Sequence, residues 1–255
     1  MTELDAATRD ALAELLLTVA DDEFIIGFWD SEWTGIAPML EEDVATSSIA
    51  QDEIGHARAL YDLLAEVTGD DADRIAYGRE PDAYRHAALL NHARGDWAFS
   101  VARRYLYETA DGVRLEALAR SAHEPLAQLA AKMRREETYH LLHADAWLRR
   151  LSDGGTDVRE RLADAFRRLW PDAQQVFAPL AGEEALQAAG ILPEPMAALH
   201  AAWVTRVRPA LEPIAGPLVE AAPSAEGRTA RTDDFRWLHG EFTMVARGDE
   251  VAALW

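Results

Sequence analysis

The chain reads as all-α: a four-helix bundle, a fifth helix and a C-terminal helical extension. Three observations predict this. Ala, Leu, Arg and Glu dominate the 255 residues, and extended alternation of Val, Ile and Thr is missing. Apolar residues recur at spacings of three and four over four long segments. Gly- and Pro-containing turn signals separate those segments. We read residues 1–178 as the bundle with its fifth helix. Residues 179–255 read as an extension packed on the bundle, within one domain overall.

The first helix is predicted from about Thr8 to Trp33. Its inner stripe is Leu12, Leu16, Val19, Glu23, Ile26, Asp30 and Trp33. Thr34-Gly35-Ile36-Ala37-Pro38 turns the chain. The second helix runs from about Met39 to Val67, with Ile49, Glu53, His56, Leu60, Leu63 and Val67 on one face. Thr68-Gly69-Asp70-Asp71 ends it. Ala72 to His92 reads as irregular or short helix. The third long helix starts near Gly95 and reaches about Ala122, turning Val101, Tyr105, Glu108, Gly112 and Leu115 inward. His123-Glu124-Pro125 breaks it. The fourth continues to Leu151, with Leu126, Ala130, Met133, Glu137, His140, Ala144, Trp147 and Leu151 in register. Asp157 is the expected cap of a fifth helix ending near Phe177. Beyond Pro179, prolines at 193, 195, 209, 213, 217 and 223 predict shorter helical pieces.

One pattern carries chemistry. Glu53-Ile54-Gly55-His56 and Glu137-Thr138-Tyr139-His140 both read Glu-x-x-His, and each follows a lone core-register glutamate, Glu23 or Glu108, about thirty residues upstream. Residues i and i+3 share a helix face, so each motif aims a carboxylate and an imidazole at one point. Glu, Glu-x-x-His, Glu, Glu-x-x-His on four helices is the ligand set of a di-iron carboxylate bundle. Carboxylate oxygen with imidazole suits iron, with manganese as the alternative, and two ions are expected. With 23 Glu and 8 His in the chain, chance yields roughly one Glu-x-x-His, so a single copy means little. Two copies, each with its upstream glutamate on a core stripe, mean much more. Buried carboxylates without cations cost several kcal/mol each or take up protons.

Residues around the motifs have weaker readings. Asp52 and Glu136 directly precede the motif glutamates and could accept the free N–H of a ligating histidine on the partner helix. Their bland reading is a solvated acid. Gly27 and Gly112 lie one turn beyond Glu23 and Glu108, leaving room above the metals or allowing close helix packing. Tyr105 and Tyr139 read as core tyrosines, with pocket lining as the other use. His143 is off the stripe and reads as a surface residue. Arginine doublets at 103–104, 134–135, 149–150 and 167–168 read as helix-surface ion pairs, with a grip on a phosphorylated carrier such as coenzyme A as the alternative.

Composition narrows the function further. A formal net charge of −20 argues against a nucleic-acid partner and an anionic membrane surface. No apolar stretch approaches membrane-spanning length. Cysteine is absent, so a metal must sit on His and carboxylate, and the expected location is cytoplasmic. Met1 to Asp10 holds Glu3 and Asp5 without the basic start of a signal peptide.

From Glu32-Trp33 through Gly155-Thr156-Asp157, and on to Trp255, the chain resembles the C-type subunits of bacterial ring-1,2-phenylacetyl-CoA epoxidase, which serves phenylacetic acid catabolism. Gly55-His56-Ala57-Arg58, Ala102-Arg103-Arg104-Tyr105, Tyr139-His140 and Trp147-Leu148-Arg149-Arg150-Leu151 carry the resemblance. It implies a ferritin-like di-iron fold and membership of a multicomponent monooxygenase. That complex is expected to epoxidise the ring of phenylacetyl-CoA with dioxygen and electrons from a separate reductase. The resemblance also implies a ferritin-like A-type partner that holds the working di-iron centre, and the chain itself is expected as a homodimer or in a hetero-oligomer. C-type subunits typically lack part of the ligand set. Here all six positions, Glu23, Glu53, His56, Glu108, Glu137 and His140, are filled. Three roles stay open: a metal-binding component of the oxygenase, a non-catalytic scaffold for the catalytic partner, and a stand-alone ferritin-like oxidase or iron-handling protein.

Overall fold

The computed structural model describes residues 4–219 and 221–248. Four long helices form the bundle: α1 (Ala6–Ser31), α2 (Leu40–Thr68), α4 (Trp97–Leu118) and α5 (Glu124–Ser152), with the short α3 (Ala72–Tyr77) in the crossover. Then follow α6 (Thr156–Ala173), α7 (Glu183–Ala188), α8 (Met196–Ala215) and α9 (Asp233–Gly248). No strand occurs among the described residues, and no described helix is long and apolar enough to cross a membrane. The all-α, ferritin-like reading therefore stands.

Local chemistry places the helix ends. Asp5 caps α1, accepting from Thr8 N at 2.8 Å, and Asp96 caps α4, accepting from Phe99 N at 2.9 Å. Gly69 closes α2 at φ 76°, a left-handed conformation that costs glycine little. Asp157 is not the cap of α6: that helix starts at Thr156 behind Gly155, and Asp157 sits in its first turn, paired with Arg161. An acid there suits the positive end of the helix. The fifth-helix segment ends in a 3₁₀ turn, Gln174–Phe177.

The α1 helix is the axis of the molecule. Leu12, Leu16, Val19, Ile25 and Ile26 are buried on opposing faces: α2, α7, α9 and the crossover pack against α1, and Tyr107 and Arg114 of α4 reach it through side-chain hydrogen bonds. Two acids inside α1 hold that wrapping together. Asp21 accepts from Tyr61 Oη at 2.6 Å, from Arg85 N at 2.6 Å and from Arg79. Asp22 accepts from Ala87 N at 2.8 Å, Arg114 Nη1 at 2.6 Å and both Nη atoms of Arg228 at 3.0 Å. Arg228 lies far along the chain, so these bonds tie the C-terminal segment to the centre of α1. Such paired, hydrogen-bonded charges are tolerable where single ones are not.

The segment after Pro179 does contain short pieces, α7 and the 3₁₀ turn Ala225–Arg228, but not every proline breaks it. Its longest element is one 20-residue helix, α8, which contains Pro209 and Pro213. Both prolines are exposed, so the carbonyls they leave unpaired at Thr205 and Pro209 face water. The inner stripe, Leu199, Trp203, Val207 and Leu211, stays continuous. Trp203 stacks on Trp170 of α6 at 5.0 Å and donates to Thr109 Oγ1 of α4 at 3.0 Å. Phe242 of α9 packs edge-on against Phe24 of α1 at 5.2 Å. One apolar core thus runs from α1 into α8 and α9. The far end of the predicted extension, 249–255 with Trp255, lies outside the described residues.

Candidate metal centre

Antiparallel pairing of α1 with α2 and of α4 with α5 brings Glu23, Glu53, His56, Glu108, Glu137 and His140 together in mid-bundle. All six are buried, at 5 % exposure or less. Their ligand atoms form two groups, each within 4.8 Å: Glu23, Glu53, His56 and Glu137, and Glu53, Glu108, Glu137 and His140. Glu53 and Glu137 belong to both, the position of bridging ligands. Each group could hold one metal ion.

The histidines are oriented identically. His56 Nδ1 faces inward, 3.2 Å from Glu23 Oε2 and 3.3 Å from Glu137 Oε1. Its Nε2 lies 2.7 Å from Glu136 Oε2. His140 Nδ1 is 3.3 Å from both Glu53 Oε1 and Glu137 Oε1, while its Nε2 is 3.3 Å from Asp52 Oδ2. Asp52 and Glu136 thus lie where an outer acid would fix the tautomer that leaves Nδ1 free for a ligand.

The cluster is electrostatically unbalanced. Burial, followed by the charges of Glu137, Glu23 and Glu108, pushes Glu53 well above the ordinary carboxylate range. Burial and Glu137 do the same to Glu108. Burial also raises Glu137. Burial alone would lower His56, but the close carboxylates of Glu137 and Glu23 override it and lift His56 to about 11. Burial opposes ionisation of Glu23, yet the adjoining His56 imidazolium brings it down to about 2. Burial lowers His140. Both oxygens of Glu53 and Glu137, Glu108 Oε2 and His140 Nδ1 are buried and make no hydrogen bond. Six unpaired donor-set atoms aimed at one space fit divalent cations bound by oxygen and imidazole.

Residues outside the predicted set complete the site. Tyr107 Oη donates to Glu23 Oε1 at 2.6 Å. Arg104 Nη1 donates to Glu108 Oε1 at 2.7 Å and lies 3.6 Å from Glu53 Oε1, while its Nη2 is bound to Asp30. A surface ion pair is therefore the wrong reading for Arg104. Its neighbour Arg103 is fully buried too, donating to the carbonyls of His92 and Ala93. The Arg149 and Arg167 members of other doublets do form surface pairs, with Asp145 and Asp164. Arg104 was legible in part: Asp30 is an acid on a core stripe, which demands a cation, and Arg104 precedes Glu108 by one helical turn.

Packing bears on five other residues. A Cβ on Gly27 would stand 2.9 Å from Ile54 Cγ1 and 3.1 Å from Ala50 O, so Gly27 serves close α1–α2 contact. A Cβ on Gly112 would meet nothing within 4 Å. Tyr105 packs edge-on against Phe166 of α6, and Tyr139 is half exposed, neither core nor pocket. His143 is largely buried, not on the surface, with Nε2 2.6 Å from Glu42 Oε2. Together with Trp33, Trp97 and Trp147 it lines a cavity of about 20 Å³ beside Arg104, space for one water.

A helical bundle with a Glu, Glu-x-x-His, Glu, Glu-x-x-His cluster has the residue pattern of carboxylate-bridged dimetal proteins. The phenylacetic acid catabolic protein family matches residues 1–240, and the chain belongs to that family. It is 31% identical over 198 residues to the C-type subunit of 1,2-phenylacetyl-CoA epoxidase from Escherichia coli (strain K12), covering 77% of this chain and 79% of that one. It is also 26% identical over 173 residues to the A-type subunit of the same enzyme and organism, covering 68% of this chain and 56% of that one.

Proposed function

We propose that this chain is a subunit of a multicomponent phenylacetyl-CoA ring epoxidase acting in aerobic phenylacetate degradation, and that it holds two iron ions, or manganese, on Glu23, Glu53, His56, Glu108, Glu137 and His140. The similarity to both E. coli proteins supports the complex and the pathway. The single observation that carries the metal reading is the set of buried, unpaired carboxylate and imidazole atoms pointing into one space.

Bound ions would supply the electrons that activate dioxygen. The protein's own residues supply the rest. Glu53 and Glu137 reach both positions and so fix the spacing between them. Glu136 and Asp52 hold the imidazoles with Nδ1 inward. Tyr107 holds one oxygen of Glu23 and leaves the other directed at the cluster. The surrounding apolar core keeps bulk water away, which strengthens every electrostatic contact inside. The partners in this reading are an A-type ferritin-like chain and a reductase, in a cytoplasmic hetero-oligomer.

Arg104 inside the ligand shell favours a second reading, in which the chain is chiefly the structural partner of the catalytic subunit. Anaerobic iron loading followed by metal analysis tests the site. About two ions per chain are expected, and fewer than one refutes it. Reconstitution with the A-type partner separates the roles: epoxidation that survives H56A/H140A assigns catalysis to the partner. Failure to co-purify with any second ferritin-like chain would leave the stand-alone protein.

A further inference from the structure

We infer that the two metal positions are unequal: the Glu23–His56 position fills first and tightly, and Arg104 makes the Glu108–His140 position the weak one. This deepens the metal reading above and rests on it. Glu53 and Glu137 serve both positions, so they cannot make them differ. One difference lies in what stands behind Glu23 and Glu108.

Behind Glu108 stands a guanidinium. Arg104 Nη1 is 2.7 Å from Glu108 Oε1 and 3.6 Å from Glu53 Oε1. That Glu53 oxygen is the one facing His140, at 3.3 Å, whereas Glu53 Oε2 is the one within reach of His56. The cation therefore sits on the His140 side of the cluster. It cannot shed its proton to make way for an ion. Nor can it swing clear, because Asp30 grips its other nitrogen inside the core. Glu108 keeps only Oε2 free, as Glu23 has only the oxygen that Tyr107 does not hold, but the group on Glu108 is a cation in direct contact. An incoming dication meets a fixed positive charge within a few ångströms, in surroundings that screen poorly.

Behind Glu23 the donor is the neutral hydroxyl of Tyr107. A second cation, Arg114, comes within 4.0 Å of Glu23 Oε1. It is, however, farther away than Arg104 is from Glu108, and it is engaged by Asp111 and by Asp22, the latter shared with Arg228. Among the described residues, Asp30 is the only acid outside the ligand set paired with Arg104. Arg104 is thus a positioning residue that sets the loading order.

Titration of the apo chain with Mn²⁺, followed by equilibrium dialysis and electron paramagnetic resonance, tests this. In the wild type, the first equivalent should give a mononuclear six-line signal, and the second should bind at least tenfold more weakly and convert the signal to that of a coupled pair. R104Q should bring the two affinities within about threefold, and R104K, which keeps the charge, should preserve the split. Should R104Q lose its helical circular dichroism, E23Q and E108Q decide: E23Q should abolish the tight event, and E108Q should leave it within threefold. Two equal affinities in the wild type, or an unchanged split in folded R104Q, overturn the inference while leaving a metal site standing. No binding by any variant overturns the metal reading and the inference together.

Discussion

Replacing Glu53 by Gln should stabilise the metal-free protein and destabilise the metal-loaded one. Glu53 is fully buried with neither oxygen hydrogen-bonded, among three other glutamates. Its carboxyl is raised well above its ordinary value of 4.5, so the folded apo protein keeps the proton that the unfolded chain releases. The sign follows from linkage. The apo wild type loses stability as pH rises above 4.5, by about 1.4 kcal/mol per unit until the folded group itself ionises. At pH 7 this reaches at most about 3 kcal/mol, and at pH 5 less than about 1 kcal/mol. Gln has the shape of the protonated acid and no proton to take up. E53Q should therefore exceed the wild type by up to about 3 kcal/mol in EDTA at pH 7, with the gap closing toward pH 5. Saturating Mn²⁺ should invert the order. An ion at a thousandfold its Kd adds about 4 kcal/mol to the wild type, whereas E53Q has lost a carboxylate common to both positions. Urea unfolding followed by circular dichroism at the two pH values, with EDTA or Mn²⁺, reads all four states. An E53Q less stable than the wild type in EDTA at pH 7, or an equal lift from Mn²⁺ in both proteins, would refute the reasoning.

Three further outcomes are expected. Metal loading at pH 7 should release at least one proton per chain, because His56, lifted to about 11, must lose its proton to ligate, and affinity should rise with pH; calorimetry in two buffers of different ionisation enthalpy measures this. G27A should cost about 1–3 kcal/mol by wedging α1 from α2, whereas G112A should be neutral or gain up to about 1 kcal/mol of helix propensity; chemical denaturation compares them. R228M should cost about 3–5 kcal/mol by leaving buried Asp22 short of a cation, and should free the segment around Arg228 for early cleavage in limited proteolysis.

The legible part of the site is the part governed by helix period. A spacing of three or four residues decides which side chains share a face, so Glu23, Glu53, His56, Glu108, Glu137 and His140 could be set on inner stripes from spacing alone. The same logic placed Asp30 there. What it could not supply was Asp30's partner, because Arg104 belongs to another helix and meets Asp30 only when α1 and α4 pack. Asp21 and Asp22 were hidden for the same reason: their partners include Arg79, the Ala87 amide and Arg228. The α8 prolines misled in the opposite direction. Proline weakens a helix locally, but an intact apolar stripe pressed on Trp170 outweighs that where the freed carbonyls reach water.

The sequence by itself determined the all-α class, the four long helices and the six inward-facing Glu and His residues, because helix propensity, capping and 3.6-residue periodicity are local properties. Only the tertiary structure decided that Asp52 meets His140 and Glu136 meets His56, that Gly27 is a contact and Gly112 is not, and that one arginine stands inside the ligand shell. Those facts depend on the axial stagger and rotation of one helix against another. Both are set by packing across the core, which no spacing along a single helix records.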